Sequence, residues 1–405
     1  MKVASIPPRF MPLQQEFRAE LIAIADWWAA HTVDHELGGF YGEIDAHNKP
    51  AKNASKGIIL NARILWFFSE VAQEVDNPDY RACATRAYDY VISNFFDSEH
   101  GGVYWELDAA AAPINTKKQV YAQAFTIYAL CAYYQLTGNA QALARALECF
   151  TLVEQYAIDR VHEGYLEAFT RDWGLIEDLR LSDKDLNYPK SQNTHLHILE
   201  AYTTLHQACP EPEVKAALKY NIEMFDKYMI DRTTHHLRMF MDLQWNDFSP
   251  GYTYGHDIEA SWLIAKALES LGDDAYTAKL TPTLIRIAQV TVDEAIGAEG
   301  QVIDSYDFAT GRTNADAVWW VQAEALVGFL YAYTTSGDAQ FYRAAQNVWQ
   351  FIKAYQIDHQ QGEWFWLSQL QNQNLDPYYK VGFWKCPYHN GRAMMEAMRY
   401  LQKMV

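Results

Sequence analysis

A chain of 405 residues with 51 acidic against 33 basic side chains carries a formal charge of −18, and such an acidic surface repels nucleic acid and anionic membranes, which argues against both as partners. Half of the residues are hydrophobic, and 27 Tyr, 19 Phe and 13 Trp are enough for a large core with a surplus suited to stacking on sugars. Cys83, Cys131, Cys149, Cys209 and Cys386 are odd in number and lack CxxC spacing, so neither a disulfide framework nor structural zinc is expected.

The N-terminal MKVASIPPRFMPLQQEF has no apolar signal-peptide core, and no later run approaches the ~20 apolar residues that span a bilayer. A cytoplasmic chain is the expectation. From residue 34 onward an Asp followed by a short Gly- or His-containing turn and then aromatic or β-branched residues recurs six times. The copies are Asp34-HELGGFYGE, Asp97-SEHGGVYWE, Asp159-RVHEGYLEA, Asp231-RTTHHLRMF, Asp293-EAIGAEGQVI and Asp358-HQQGEWFW, spaced by 63, 62, 72, 62 and 65 residues, with drift in the fourth and fifth. Between turns, apolar residues at three- and four-residue spacing predict two helices per unit, as in residues 80–96 and 117–138. Six helix pairs predict an all-α fold, an (α/α)6 barrel formed as one domain over residues 1–405. An open solenoid would need polar caps, and the terminal turns are as aromatic as the central ones. The longest interval holds the polar loop 171–190, which reads either as a rim over a ligand site or as a plain surface insertion.

Ionisable residues inside apolar helical runs are costly unless paired, so they mark candidate sites. Arg63 interrupts LNARILWFF and must face a buried carboxylate or the lumen. In NTHLHILEAY, residues two apart on a helix point about 200° away from each other, so only one of His195 and His197 can face the lumen, while Asn193 and His197 share a face. The same divergence makes His-x-His a poor chelate, and no metal is expected. In YGHDIEASWL, His256 and Glu259 lie three apart, close enough for the carboxylate to fix the imidazole tautomer. His389 stands in a turn before the last helix, with Trp384 upstream. Trp319 and Trp320, with Glu324 one turn on, and the pair Trp364 and Trp366 offer flat stacking surfaces.

The strings KGIILNARILW, TKKQVYAQAF, RDWGLIEDLRLS, NTHLHILEAYT, YGHDIEASWL, VWWVQAEALVGF and FWKCPYHNGR resemble, in order and over nearly the whole chain, the signature blocks of the cellobiose 2-epimerases of the N-acylglucosamine 2-epimerase superfamily. Gln192 departs from the apolar residue expected before NTHLH, and residues 367–382 match least. The resemblance implies an (α/α)6 barrel, no metal or nicotinamide cofactor, and proton transfer at C2 of a reducing-end sugar through a cis-enediolate. It makes His256 and His389 the acid–base pair, His197 a third pocket histidine and Arg63 the stabiliser of the enediolate. Tyr121, Asn193, Glu259, Trp319 and Trp384 would line the sugar site. Mannose isomerases are relatives, so both mono- and disaccharide substrates are open, as is homo-oligomerisation. A glycoside hydrolase on this barrel would need two carboxylates about 5–9.5 Å apart across the bond cleaved. The candidate segments are rich in His instead.

Overall fold

The computed structural model describes residues 8–370, 374–375 and 377–404. The signal-peptide reading of residues 1–7, and residues 371–373 and 376 of the least-matching stretch, lie outside them. Local chemistry sets the helical hairpins. Gly138, Gly272 and Gly337 end three helices at φ +71°, +69° and +74°, a left-handed conformation that only glycine adopts without strain. The next residue in each case, Asn139, Asp273 or Asp338, accepts backbone N–H groups of the following helix with its side chain. Stop and start signals one residue apart force the chain back on itself.

The resulting helices are α1 (Met11–His31), α2 (Ile58–Glu74), α3 (Pro78–Tyr90), α4 (Val120–Thr137), α5 (Ala140–Tyr156), α6 (Gln192–Ala208), α7 (Pro212–Met224), α8 (Tyr254–Leu271), α9 (Asp274–Ala295), α10 (Trp319–Ser336), α11 (Ala339–Phe351) and α12 (Tyr388–Lys403). The even-numbered helices form an inner ring in which each packs on the next and α12 returns to α2, while the odd-numbered ones pack outside, α1 against α12. The arrangement is the closed (α/α)6 barrel. The inner helix α4 is buried at every position from Val120 to Tyr133, whereas the outer helix α5 buries only the stripe Ala142, Ala146, Cys149, Phe150 and Val153. At the seam, residues Ile44–Asp45 pair antiparallel with Tyr379–Val381, so the first and last turns share a two-stranded ladder.

Each turn at the outer-to-inner crossing is closed by one backbone bond. The N–H of Asp34, Asp97, Asp159, Asp231 and Asp358 donates to the carbonyl of Gly39, Gly102, Gly164, His236 and Glu363, and in the fifth turn Gly297 donates to Gln301. This corrects the fifth copy of the sequence motif. Asp293 belongs to α9, where it accepts from Gln289, and Gly297 occupies the turn position in its place. The turn aspartates also accept neighbouring backbone N–H groups, as Asp34 does from Glu36 and Leu37. Four of them pair with a buried lysine on the segment leading to an inner helix: Asp34 with Lys56, Asp97 with Lys118, Asp159 with Lys190 and Asp358 with Lys380, at 2.7–2.9 Å. Removing one member strands a desolvated charge. Lys56→Met is therefore expected to lower stability by roughly 3 kcal/mol. Urea denaturation checks this, and an unchanged midpoint would show that the pair does not hold the turn.

Candidate active site

The site grows from a polar residue that clips each turn to its inner helix. Gln123, His195, Asp257 and Gln322 accept the backbone N–H of Val103, Tyr165, Leu237 and Val302 at 2.8–2.9 Å. With the clip facing outward, the residue two further on is turned about 200° toward the barrel axis. Those residues are Phe125, His197, Glu259 and Glu324, and the same count from Asn61 and Asn390 gives Arg63 and Arg392. His195 is thereby committed to structure: Nδ1 lies 2.7 Å from the Ser191 carbonyl and Nε2 accepts from Tyr165. His197 faces the lumen.

A cavity of about 540 Å³ opens at this end of the barrel. All nine side chains that the resemblance assigns to the site, Arg63, Tyr121, Asn193, His197, His256, Glu259, Trp319, Trp384 and His389, line it, together with Trp320, Trp366, Tyr378 and Tyr379, whereas Trp364 is buried with its indole donating to Glu20. Leu181–Asp185 of the 171–190 loop form part of its wall, and Lys117 and Gln119 anchor the loop by donating to the carbonyls of Arg180 and Leu179. His256 and His389 both pack against the Trp320 indole, at ring distances of 4.8 and 5.6 Å.

Beneath the cavity, Arg392 binds three carboxylates from three helices. Its Nη1 donates to Glu200, and Nη2 donates to Glu259 (2.6 Å) and Glu324 (2.7 Å). The carboxylates pass this order upward. Glu324 accepts from Trp262 and lies 2.7 Å from His389 Nδ1. Glu200 accepts from the Tyr388 hydroxyl and lies 3.1 Å from His197 Nδ1. Arg63 donates to the Tyr121 hydroxyl at 2.8 Å and lies over the rings of Phe125 and Tyr388 at 4.2 and 4.6 Å. Among the described residues no carboxylate pairs with it, so of the two sequence alternatives the lumen holds.

Two expectations fail. His389 lies in the first turn of α12 and not in a turn ahead of it, because the helix begins at Tyr388, directly after Pro387. Glu259 does not orient His256, whose Nδ1 instead meets the Thr253 hydroxyl at 2.7 Å. Glu259 turns to the axis, where a charged partner binds it more strongly than a neutral imidazole could. Glu200, Arg392, Tyr388 and Thr253 were missed in the sequence. For Glu200 a signal existed: it follows His197 by three residues, the same spacing that drew attention to His256 and Glu259. Arg392 follows His389 by three as well.

Burial dominates the protonation of the site. It lowers His256 to about 3, with His197 adding repulsion, and His197 to about 4, although Glu200 opposes the shift. His389 is driven well below the ordinary histidine value by burial and then by Arg63 and Arg392. The imidazoles are neutral at pH 7. Burial alone would protonate Glu200, yet Arg392 and His197 hold it at about 2. Burial raises Glu259 and Glu324, and repulsion from Glu324 raises Glu259 further. With the N–H groups of both Trp262 and Arg392 directed at it, Glu324 is the better stabilised carboxylate of the two and acts as an acceptor, which places the His389 proton on Nδ1 and the lone pair on Nε2. Glu259, Glu324 and His389 bring possible ligand atoms within 4.8 Å of one another. Arg392 already supplies the positive charge those carboxylates need, so the donor set does not fit a resident metal.

The sequence model of the N-acylglucosamine 2-epimerase (GlcNAc 2-epimerase) family matches residues 39–392. Cellobiose 2-epimerase of Bacteroides fragilis is 41% identical over 387 residues, spanning 95% of this chain and 98% of the relative. That of Ruminococcus albus is 39% identical, spanning 90% and 93%. The structure of cellobiose 2-epimerase from Bacillus thermoamylovorans superimposes with a TM-score of 0.91 at 35% identity, covering 96% of this chain and 99% of that one. A D-mannose isomerase structure, at 19% identity and a TM-score of 0.82 over 95% and 97% of the two chains, shares the fold.

The buried imidazoles make stability depend on pH. His256 and His197 bind protons near pH 3 and 4 when folded but near ~6.5 when unfolded, so below that value the unfolded chain takes up protons that the folded one refuses. Stability is full above pH ~6.5 and is lost as pH falls toward 4. Thermal melts between pH 7.5 and 5 should show a falling midpoint, and a flat profile would mean that the imidazoles are not held neutral.

Proposed function

The chain belongs to the N-acylglucosamine 2-epimerase family and is an isomerase acting on sugars, and from that premise we propose that it interconverts the C2 epimers of the reducing-end residue of β-1,4-linked disaccharides such as cellobiose and mannobiose. The observation that carries the reading is the pair of neutral imidazoles that both pack against Trp320, with the Arg63 guanidinium in the same cavity.

Opening of the pyranose exposes a carbonyl at C1 and acidifies the C2 proton. His389, its Nδ1–H held by Glu324, presents the Nε2 lone pair and takes that proton, and the electron pair moves to O1 as a cis-enediolate. Arg63 stabilises the oxyanion, a contribution of about 3 kcal/mol for a well-aimed donor. His256, protonated from solvent as negative charge builds on the enediolate, gives that proton to the opposite face of C2 as the C1 carbonyl re-forms, which yields the epimer, while His389 releases its proton to solvent; the reverse reaction exchanges the two roles. His197, fixed by Glu200, is suited to the proton exchange of the O1 and O2 hydroxyls. Delivery of the proton to C1 would give the ketose, the mannose-isomerase outcome. The disaccharide reading is favoured by the aromatic wall of Trp366, Tyr378, Tyr379 and Trp384 beside the histidines, which offers a second ring remote binding energy that can position the first.

His389→Asn or His256→Asn should lower kcat at least ~10²-fold with the fold retained. Near-normal turnover of either variant would remove it from the proton-transfer pair. Incubation of cellobiose, mannobiose, mannose and glucose in D2O should give C2 epimers with deuterium at C2, fastest for the disaccharides, and dialysis against EDTA should leave the rates unchanged. Rapid conversion of mannose to fructose with no turnover of either disaccharide would favour the isomerase instead.

A further inference from the structure

The turn position that accepts the aspartate N–H is glycine in the first three turns: Gly39, Gly102 and Gly164, at φ +63°, +66° and +82°. Those turns close with no side chain there at all. In the fourth and sixth turns the position holds His236 and Glu363, both buried, at 2% and 4% exposure. These are the turns that feed the two helices carrying His256 and His389.

Each of these side chains reaches the residue directly after the histidine. His236 Nδ1 lies 2.7 Å from Asp257 Oδ2, and Glu363 Oε1 accepts from Asn390 Nδ2 at 2.8 Å. Each also reaches an outer helix. His236 Nε2 lies 3.2 Å from Glu294 on α9, and Glu363 accepts from Trp28 on α1 at 2.6 Å while pairing with Lys385 at 2.8 Å. In the fifth turn, whose inner helix bears no such histidine, Gln301 bonds back to Glu299 within its own turn. The ionisable side chains are therefore superfluous for closing a turn, and they occur in the turns that feed the helices of His256 and His389, whereas His197, whose turn has Gly164, is held by Glu200 of its own helix.

We propose that His236 and Glu363 are positioning residues for His256 and His389, each bracing the first turn of a histidine-bearing helix against an outer helix. The inference rests on the two-histidine reading of the reaction. A base displaced by about 1 Å from its proton can lose on the order of 10² in rate while the sugar still binds.

The experiment compares the wild type with His236→Gly and Glu363→Gly, which install the residue of the first three turns. His236→Asn and Glu363→Gln keep a polar atom near the lost one, and Gln301→Ala serves as a turn control. Cellobiose and its C2 epimer are assayed in D2O for kcat, KM and exchange of C2–H. Each glycine variant is expected to lose at least about tenfold in kcat with KM within about twofold. The Asn and Gln variants should recover most of the loss, and Gln301→Ala should turn over like the wild type. Exchange should slow more from one epimer in His236→Gly and more from the other in Glu363→Gly, because each brace serves one base. Glycine variants that keep wild-type kcat, that unfold, or whose losses Gln301→Ala reproduces would overturn the proposal. Absence of C2–H exchange in the wild type would overturn the two-histidine reading itself.

Discussion

Arg392 is a guanidinium fully withdrawn from water, and the site is arranged around the cost of keeping it there. A lone buried cation is expensive, and one carboxylate seldom repays both desolvations. Here Glu200 from α6, Glu259 from α8 and Glu324 from α10 converge on a residue of α12, so charge joins four of the six inner helices at the barrel axis. The ring must close for these groups to meet. Once they have met, Glu200 and Glu324 still have acceptor capacity facing the cavity, and there they hold Nδ1 of His197 and His389. The cation that satisfies the floor thus decides, through two carboxylates, which imidazole nitrogen is left for the cavity.

The same exclusion of water gives the upper layer its chemistry. Imidazoles kept neutral by burial retain a free lone pair, which is what a proton-accepting group needs. Arg63 differs from Arg392 in its partners: aromatic faces and a phenol rather than carboxylates. Its charge remains available to an oxyanion in the cavity. His256 differs from His389 in resting on a hydroxyl instead of a carboxylate, so the two cavity imidazoles have different support.

Repetition explains how so many ionisable groups reach one place. Arg63, Phe125, His197, Glu259, Glu324 and Arg392 occupy the same position in six units, two residues after the polar residue at the start of each inner helix. A sixfold ring brings equivalent positions to one level of the axis, so a single layer can hold a cation-binding floor assembled from residues far apart in the chain.

Much of this was legible in the sequence wherever the deciding interaction was local. The sixfold count followed from turn residues, closure from the aromatic terminal turns, and the rule that only one of His195 and His197 faces the lumen from helix periodicity, with the resemblance pointing to His197. The seven segments that resemble the family led to nine side chains that line one cavity. Local spacing misled where a distant group competed. Asp293 looked like a turn aspartate because its letter and interval suited, but a backbone bond identifies Gly297. Glu259 looked like the partner of His256, three residues away, until Arg392, 133 residues further along the chain, supplied a full positive charge. A hydrogen bond within one helical turn depends on spacing, which a sequence displays. The pairing of buried charges depends on which helices the closed ring sets face to face, and that only the tertiary structure decided.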